Sequence, residues 1–374
     1  MSFINKTCRA TAAFALSLIA FGAHAQIVIG QTAGFTGTVA AGVKETADGA
    51  HLYIDAINAH GGVNGQKIEL ISMDDGFEPK RAAENARRLI TERGAVALFL
   101  NRGTPHTEAI KPLLEEFKVP LIAPSTGAMS LHSPVNHYIF NVRATYQREA
   151  EKAVRHLATI GMTRIAVLQV DDSFGADGAL GATRGLEAVN LKPVVFEKFD
   201  RSKPDFAPIA PKVAAAQAQA VIILGSGNAV VDAIRALRAA GSFAQAVTLS
   251  NNASAGFVKS LGEFGRGTIV TQVFPYERSL AAPIVKEAHD LLVAKNAGAE
   301  ITPLMVEGYA AAKVLVEALR RAGPSPTSAK ILTALEGMKR VDIGGLEVTY
   351  GPNDHTGLDF ADLAIIGPDG KFKR

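Results

Sequence analysis

The most regular feature of this chain is an alternation, from residue 26 onward, between short apolar runs and longer stretches with helical periodicity. The apolar runs predict strands at residues 27–30, 67–73, 96–100, 120–123, 164–170, 194–199, 220–224, 246–249 and 268–273. The stretches between them predict helices at residues 38–59, 79–93, 106–117, 146–160, 178–189, 229–240 and 283–295. This order is typical of a parallel sheet covered by helices on both faces, so we predict an α/β fold.

The pattern changes towards the carboxyl end. Residues 280–338 predict consecutive helices, which the Gly-Pro-Ser-Pro sequence at 323–326 separates. The chain then returns to strands at 346–350 and 360–366.

This is more strands than one sheet comfortably holds, and breaks are predicted at 140–146 and 273–283. The chain should therefore cross between two α/β lobes more than once. The predicted division is residues 26–144 with 275–345 for the first lobe, and 145–274 with 346–374 for the second.

The first 25 residues differ in composition from the rest and predict a secretory signal peptide. Lys6 and Arg9 give a basic start, residues 10–21 are almost wholly apolar, and Ala23-His24-Ala25 offers a small-residue cleavage site. The alternative is an uncleaved anchor, but the apolar run is short for a hydrocarbon core of about 30 Å. We expect cleavage after Ala25 and an exported, soluble protein.

Cleavage would also remove Cys8, the only cysteine of the chain. The mature protein would then have no disulfide and no reactive thiol. With 39 basic and 36 acidic residues, and no run of five basic ones, the chain carries no electrostatic signature of nucleic-acid binding.

Three loops at the carboxyl ends of predicted strands are rich in glycine and small hydroxyl residues: 32–37, 101–104 and 124–127. Ligands of open α/β sheets bind at this edge, and hydroxyls with free backbone N–H groups suit a small anion such as a carboxylate. The alternative interpretation is that each loop only caps a helix or forms a tight turn and binds no ligand.

Signatures of catalysis are absent from the sequence. It contains no phosphate-binding G-x-x-x-x-G-K-[ST] motif, no H-E-x-x-H and no G-x-S-x-G. Gly225 could begin a dinucleotide-binding turn, but Val230 occupies the position of the third glycine of that motif. His132 and His137 have no carboxylate close in sequence with which to hold a metal. We expect a binding protein with no cofactor and no metal; an exported α/β enzyme is the remote alternative.

Several segments resemble one family. They are the sequence Ile-Asn-Ala-His-Gly-Gly-Val-Asn-Gly at 57–65, Asp-Asp at 74–75, Val-Pro-Leu-Ile-Ala-Pro-Ser-Thr-Gly at 119–127, and Asp-Ser-Phe-Gly at 172–175. The chain thereby resembles the type I periplasmic solute-binding proteins of ABC importers, specifically the branched-chain amino-acid-binding family, over essentially all of residues 26–370. The resemblance implies two doubly wound parallel-sheet lobes that are joined by three strands and close over a ligand.

The resemblance also implies a set of site residues. The carboxylate of the ligand would be held by Thr104, Ser125, Thr126 and Gly127. Walls would come from Tyr146 and Phe174, and weaker candidates are Asp172, Ser226 and Asn251.

One departure from the family bears on the ligand. An acidic residue that pairs with the ligand's ammonium usually follows the strand ending near Leu249, but this chain has Asn251 and Asn252 there. A buried ammonium needs a charge partner, so either Asp172 supplies it or the ligand is not a plain α-amino acid. A 2-oxo acid or an aliphatic or aromatic carboxylate would need no such partner.

The sequence therefore predicts a periplasmic protein of amino-acid transport that binds a small amphipathic carboxylate, a branched-chain amino acid or a relative. Its partners would be that ligand and an ABC permease in the inner membrane, and we expect a monomer. The alternative is a periplasmic sensor of the same fold that docks on a membrane receptor.

Overall fold

The computed structural model describes residues 26–374, and the predicted signal peptide lies outside this range. The first lobe is built on a five-stranded parallel sheet of order β2-β1-β3-β4-β5. Its strands are β1 (Ile27–Ala33), β2 (Ile68–Asp74), β3 (Ala97–Phe99), β4 (Leu121–Ile122) and β5 (Ile139–Phe140). The helices between them are α1 (Ala40–Ala59), α2 (Pro79–Thr91) and α3 (Thr104–Phe117). In the register, Ile29 lies opposite both Leu70 and Ala97.

The chain then crosses to the second lobe. Five parallel strands follow: β6 (Ile165–Val170), β7 (Val195–Phe199), β8 (Ala220–Leu224), β9 (Gln245–Thr248) and β10 (Ile269–Gln272). The helices of this lobe are α4 (Tyr146–Thr159), α5 (Ser173–Ala188), α6 (Ala210–Ala215), α7 (Asn228–Ala239) and α8 (Ala255–Leu261). Every residue of β6 and β8 is buried, as expected for strands covered on both faces.

After β10 the chain returns to the first lobe. The consecutive helices are α9 (Pro283–Lys295), α10 (Pro303–Ala322) and α11 (Ser328–Glu336), followed by the short antiparallel pair β11 (Val341–Asp342) and β12 (Glu347–Val348). Helix α10 crosses α1 closely, since a Cβ on Gly308 would lie 1.8 Å from the carbonyl oxygen of Thr46. This contact explains why a glycine stands in the middle of α10.

The chain finally adds two antiparallel strands to the second sheet: β13 (Asp362–Ile366) and β14 (Phe372–Lys373). The order of that sheet is β14-β13-β10-β9-β8-β6-β7. Val348, Tyr350 and Leu358 still pack in the core of the first lobe, so the last crossing lies between Leu358 and Asp362. The lobe boundaries drawn from the sequence placed this crossing at residue 346.

The predicted fold class is confirmed, and the predicted strands and helices are present with shifted ends. Among the strands and α-helices of residues 26–374, the sequence missed five short elements: β5, β11, β14, α6 and α8. It also placed the start of α5 five residues too late. The helix begins at Ser173 because the Asp172 carboxylate accepts a hydrogen bond of 3.1 Å from the backbone N–H of Gly175 and so caps it.

Within residues 26–374, no helix is both long enough and apolar enough to cross a membrane.

Candidate functional site

A cavity of about 290 Å³ lies between the two lobes. We call it the interlobe cavity. Its lining residues follow the carboxyl ends of strands in both sheets, which is where open α/β sheets bind ligands. The first lobe contributes residues 37–42 and Arg102; the second contributes Gly227, Asn228, Asn251, Asn252, Ser254, Gly256, Phe257 and Ser260.

Of the described residues in this lining, Arg102 alone has an ionised side chain, and it is 4% exposed. It follows β3, on a turn in which Leu100 and Gly103 both have positive φ. Its guanidinium donates hydrogen bonds to the hydroxyl of Ser125, at 3.1 Å, and to the backbone carbonyl of Asn251, at 2.6 Å. Burial lowers the pKa of the Arg102 guanidinium, because desolvation disfavours the charged form. The buried cation therefore bridges the lobes through neutral oxygens.

Behind Arg102 lies a second buried group of charges. The Ser125 hydroxyl donates to Glu307 Oε1 at 2.6 Å. Arg143 donates to Glu149 and, at 2.8 Å, to the hydroxyl of Ser250, and its Nη1 lies 4.0 Å from Glu307 Oε2. Desolvation of Arg143 is outweighed chiefly by Glu149, so the pKa of this guanidinium is raised. The two carboxylates are thus engaged with Arg143 and Ser125.

Direct hydrogen bonds hold the lobes together at the rim of the interlobe cavity. The Glu45 carboxylate on α1 accepts from the backbone N–H groups of Ala255 and Gly256, both at 3.1 Å, at the start of α8. Burial of this carboxyl raises the pKa of Glu45. Elsewhere between the lobes, the hydroxyl of Ser173 donates to the Glu108 carboxylate at 2.7 Å. The structure therefore shows the two lobes in contact, as in a closed cleft.

Glycines permit the closest approach of the two lobes. A Cβ on Gly227 would lie 2.0 Å from the backbone carbonyl oxygen of Thr38, and one on Gly256 would lie 2.4 Å from the Cβ of Ala41. Both distances are shorter than van der Waals contact, so a larger side chain at either position would keep the lobes apart.

The predicted carboxylate-binding residues lie in and beside the loops that surround Arg102. Ser125 binds its guanidinium directly. Thr104 and Thr126 are buried and share a hydrogen bond of 2.7 Å between their hydroxyls. Gly127 packs against the crossing between the lobes, where its carbonyl accepts from the backbone N–H of Tyr146. These four residues lie outside the lining of the interlobe cavity.

The predicted wall residues form one buried pair. Tyr146 and Phe174 are 2% and 3% exposed and meet edge to face, with ring centroids 4.8 Å apart. The guanidinium of Arg143 lies over the Tyr146 ring, 4.6 Å from its centroid. In this closed arrangement neither ring belongs to the lining of the interlobe cavity.

Of the weaker candidates, Asn251 lines the interlobe cavity. Its side-chain amide donates to the backbone carbonyl of Gly225 and to the hydroxyl of Ser226, while its Oδ1 is buried without a hydrogen-bond partner. Asp172 caps α5 and pairs with Arg201, so its charge is already neutralised.

Sequence reasoning missed Arg102 as a site residue, although it singled out the 101–104 loop. It also missed residues 38–42 and the start of α8, although the 32–37 loop that it singled out ends at Gly37 of the cavity lining. A signal was present for Arg102: a cation directly after a buried strand, at the sheet edge where ligands bind. No group of three or more His, Cys, Asp or Glu residues in the described part of the chain could hold a metal ion.

The comparison with protein families decides the classification. A family model described as periplasmic binding protein matches residues 26–366. The chain belongs to this family. Among the curated relatives of this periplasmic binding protein, the Leu/Ile/Val-binding protein BraC3 of Rhizobium johnstonii is 27% identical over 351 residues, covering 92% of this chain and 93% of the relative. The Leu/Ile/Val-binding protein homolog 3 of Brucella melitensis is 25% identical, with 93% of both chains covered.

Solved structures agree with the classification. A substrate-binding periplasmic protein from Ralstonia solanacearum is 31% identical, with a TM-score of 0.86 over 93% of this chain and 99% of that one. A possible leucine/isoleucine/valine-binding protein from Rhodopirellula baltica is 27% identical, with a TM-score of 0.88 over 95% and 98%. The resemblance to the branched-chain amino-acid-binding family is thereby confirmed. This periplasmic binding protein has a solute-binding role, consistent with a binding protein rather than an enzyme.

Proposed function

We propose that this chain is the solute-binding component of an ABC importer and that it holds a small organic carboxylate in the interlobe cavity. The observation that carries the proposal is the buried guanidinium of Arg102, which lines the cavity and donates to two neutral oxygens, those of Ser125 and Asn251.

A buried charge without an opposite charge beside it costs several kcal/mol. Glu307 attracts Arg102 through space but reaches it only through the Ser125 hydroxyl, and Arg143 repels it. An anionic group in the cavity would offset this cost directly. Carboxylates suit the role, since the planar fork of an arginine matches their two oxygens.

The size of the cavity favours a small ligand. Its volume of about 290 Å³ lies at the lower end of the roughly 300–1,000 Å³ common for small-molecule sites. Val39 and Phe257 give it apolar surface, while Asn251 and Ser254 offer polar groups. This mixture suits an amphipathic acid with a short side chain.

The family and the N-terminus support the transport role. The relatives are named as Leu/Ile/Val-binding proteins, and residues 1–25 have the composition of a secretory signal. We infer that the mature protein works in the periplasm. Closure of the lobes over the ligand would create the surface that a membrane permease recognises.

The test is thermal unfolding of residues 26–374 after refolding to remove any carried ligand. The panel contains leucine, isoleucine, valine, aromatic amino acids, the matching 2-oxo acids, benzoate and the methyl ester of each. A ligand at 100 times its Kd should add about 2.7 kcal/mol to the free energy of unfolding. We expect stabilisation by free acids and none by their esters. Equal stabilisation by acid and ester would contradict carboxylate recognition.

The importer role is tested in the host cell. Deletion of the gene should abolish uptake of the labelled acid that the purified protein binds, and the wild-type gene should restore it. Unchanged uptake in the deletion strain, with chemotaxis to the same acid lost, would favour the sensor.

A further inference from the structure

We propose that the ligand of the interlobe cavity is a carboxylic acid without an amino group, such as a 2-hydroxy acid. This inference rests on the proposed function, because it takes the interlobe cavity as the ligand site. It narrows the class of ligand from carboxylates in general to those without an amino group. In this respect the chain would differ from proteins that bind α-amino acids.

The charge of the lining favours such an acid. Among the described residues that line the cavity, Arg102 is the one cation and none is Asp or Glu. The second lobe presents the amides of Asn228, Asn251 and Asn252 instead. An α-amino acid carries a carboxylate and an ammonium, so the first would find a partner of opposite charge and the second would not.

The neighbouring carboxylates already make hydrogen bonds or ion pairs within the protein. Glu45, at the rim, accepts from the two backbone N–H groups at the start of α8. Glu307 accepts from Ser125 through Oε1, and its Oε2, which has no hydrogen-bond partner among the described residues, lies 4.0 Å from Arg143 Nη1. Glu149 accepts from Arg143 and from the backbone N–H of Ser250. Turning any of them to an ammonium would break bonds that hold the lobes or the buried charges together.

The asparagine side chains of the lining leave one buried hydrogen-bond acceptor for a ligand. Asn252 is fully engaged: its amide donates to Gly225 and Thr248, and its oxygen accepts from the backbone N–H of Gly227. Asn251 Oδ1 is buried without a partner. One such acceptor suits the single donor of a 2-hydroxyl group, whereas an ammonium brings three N–H donors and a full charge.

The experiment uses matched acids that differ only at the second carbon. Refolded residues 26–374 are titrated calorimetrically with leucine, 2-hydroxy-4-methylpentanoate and 4-methyl-2-oxopentanoate. The alanine and phenylalanine series, with lactate and phenyllactate as their hydroxy acids, are titrated in the same way. We expect the best acid without an amino group to bind at least about tenfold more tightly than the matched amino acid.

Tighter or equal binding of the amino acid would overturn this inference while leaving a carboxylate-binding protein in place. Failure of every acid in the panel to bind, with or without an amino group, would instead overturn the proposed function. The two failures are therefore distinguishable.

A variant can add a negative charge to the cavity lining as a partner for an ammonium group. Asn228 is exposed at the first position of α7 and lines the cavity, so Asn228→Asp places a carboxylate there at a helix N-terminus that tolerates it. The affinity for the preferred acid should fall by about tenfold and that for the matched amino acid should rise. The control is Asn190→Asp, which makes the same charge change at an exposed position outside the cavity lining. Unchanged selectivity in Asn228→Asp would count against the inference.

Discussion

Closure of the lobes can be tested by adding a single methyl group at their interface. In Gly256→Ala the new Cβ would lie 2.4 Å from the Cβ of Ala41 on the opposite lobe. Carbon atoms in contact are normally about 3.5–4 Å apart, so the lobes would have to separate by about 1–1.5 Å. Position 256 lies in the first turn of α8, where alanine is a better helix former than glycine, so the second lobe itself should not be weakened.

The magnitude follows from the bonds that separation breaks. Glu45 accepts from Ala255 and Gly256 at 3.1 Å, and an added 1 Å or so would exceed hydrogen-bond distance. A hydrogen bond to a charged group contributes about 1.5–3 kcal/mol. For the two bonds together we therefore expect the closed state to lose about 3–6 kcal/mol and ligand affinity to fall by at least about 100-fold.

The assay is calorimetric titration with the acid that stabilises the wild type most. The matched control is the double variant Ala41→Gly with Gly256→Ala, which removes the opposing methyl group and should recover most of the affinity. Ala41→Gly alone reports the cost of a glycine in α1, about 1 kcal/mol. Wild-type affinity in Gly256→Ala, or no recovery in the double variant, would refute the reasoning.

Three further predictions follow from individual side chains. Glu45→Gln loses the charge that accepts from α8, so calorimetry should show affinity reduced by about tenfold, and an unchanged Kd would show that this contact does not stabilise closure. Burial raises the pKa of Glu277 from 4.5 to about 7. Between these two pH values the folded protein keeps a proton that the unfolded chain has lost. The free energy of unfolding should therefore fall as pH rises from about 4.5 to 7. Urea unfolding should therefore find Glu277→Gln more stable than wild type at pH 8, by up to about 3 kcal/mol, and no more stable at pH 4; a pH-independent difference would contradict this. Phe174→Ala removes a ring that is 3% exposed and contacts Tyr146, so urea unfolding should show a loss of about 3–5 kcal/mol, whereas a loss near zero would mean that the ring is not part of the core.

The architecture could be predicted from the sequence because it is encoded locally. Continuous apolar runs such as 220–224 identify strands that helices cover on both faces, and β8 occupies those residues in the structure. The missed elements are those whose patterns are too short to show a period. Strand β5, for example, has two residues, Ile139–Phe140, and pairs only with β4.

The site was less accessible to sequence reasoning because its contacts are not local. Arg102 meets Asn251 across 149 positions of the chain, and Ser125 meets Glu307 across 182. The sequence identified the right sheet edge and the 101–104 loop, but it could not show which side chain of that loop points into the space between the lobes. Glu307 also gives no sequence signal, since a glutamate in a helix is ordinarily exposed.

Between the lobes, we expect Arg102 to bind the carboxylate of the ligand. The most direct measurement is calorimetric titration of Arg102→Gln and Arg102→Lys with the acid that wild type binds best, after urea unfolding has shown that both variants fold. We predict that Arg102→Gln lowers the affinity by at least about 100-fold. Arg102→Lys keeps the charge but not the planar fork, so its affinity should lie between those of wild type and Arg102→Gln. An affinity within about threefold of wild type in Arg102→Gln would contradict the account.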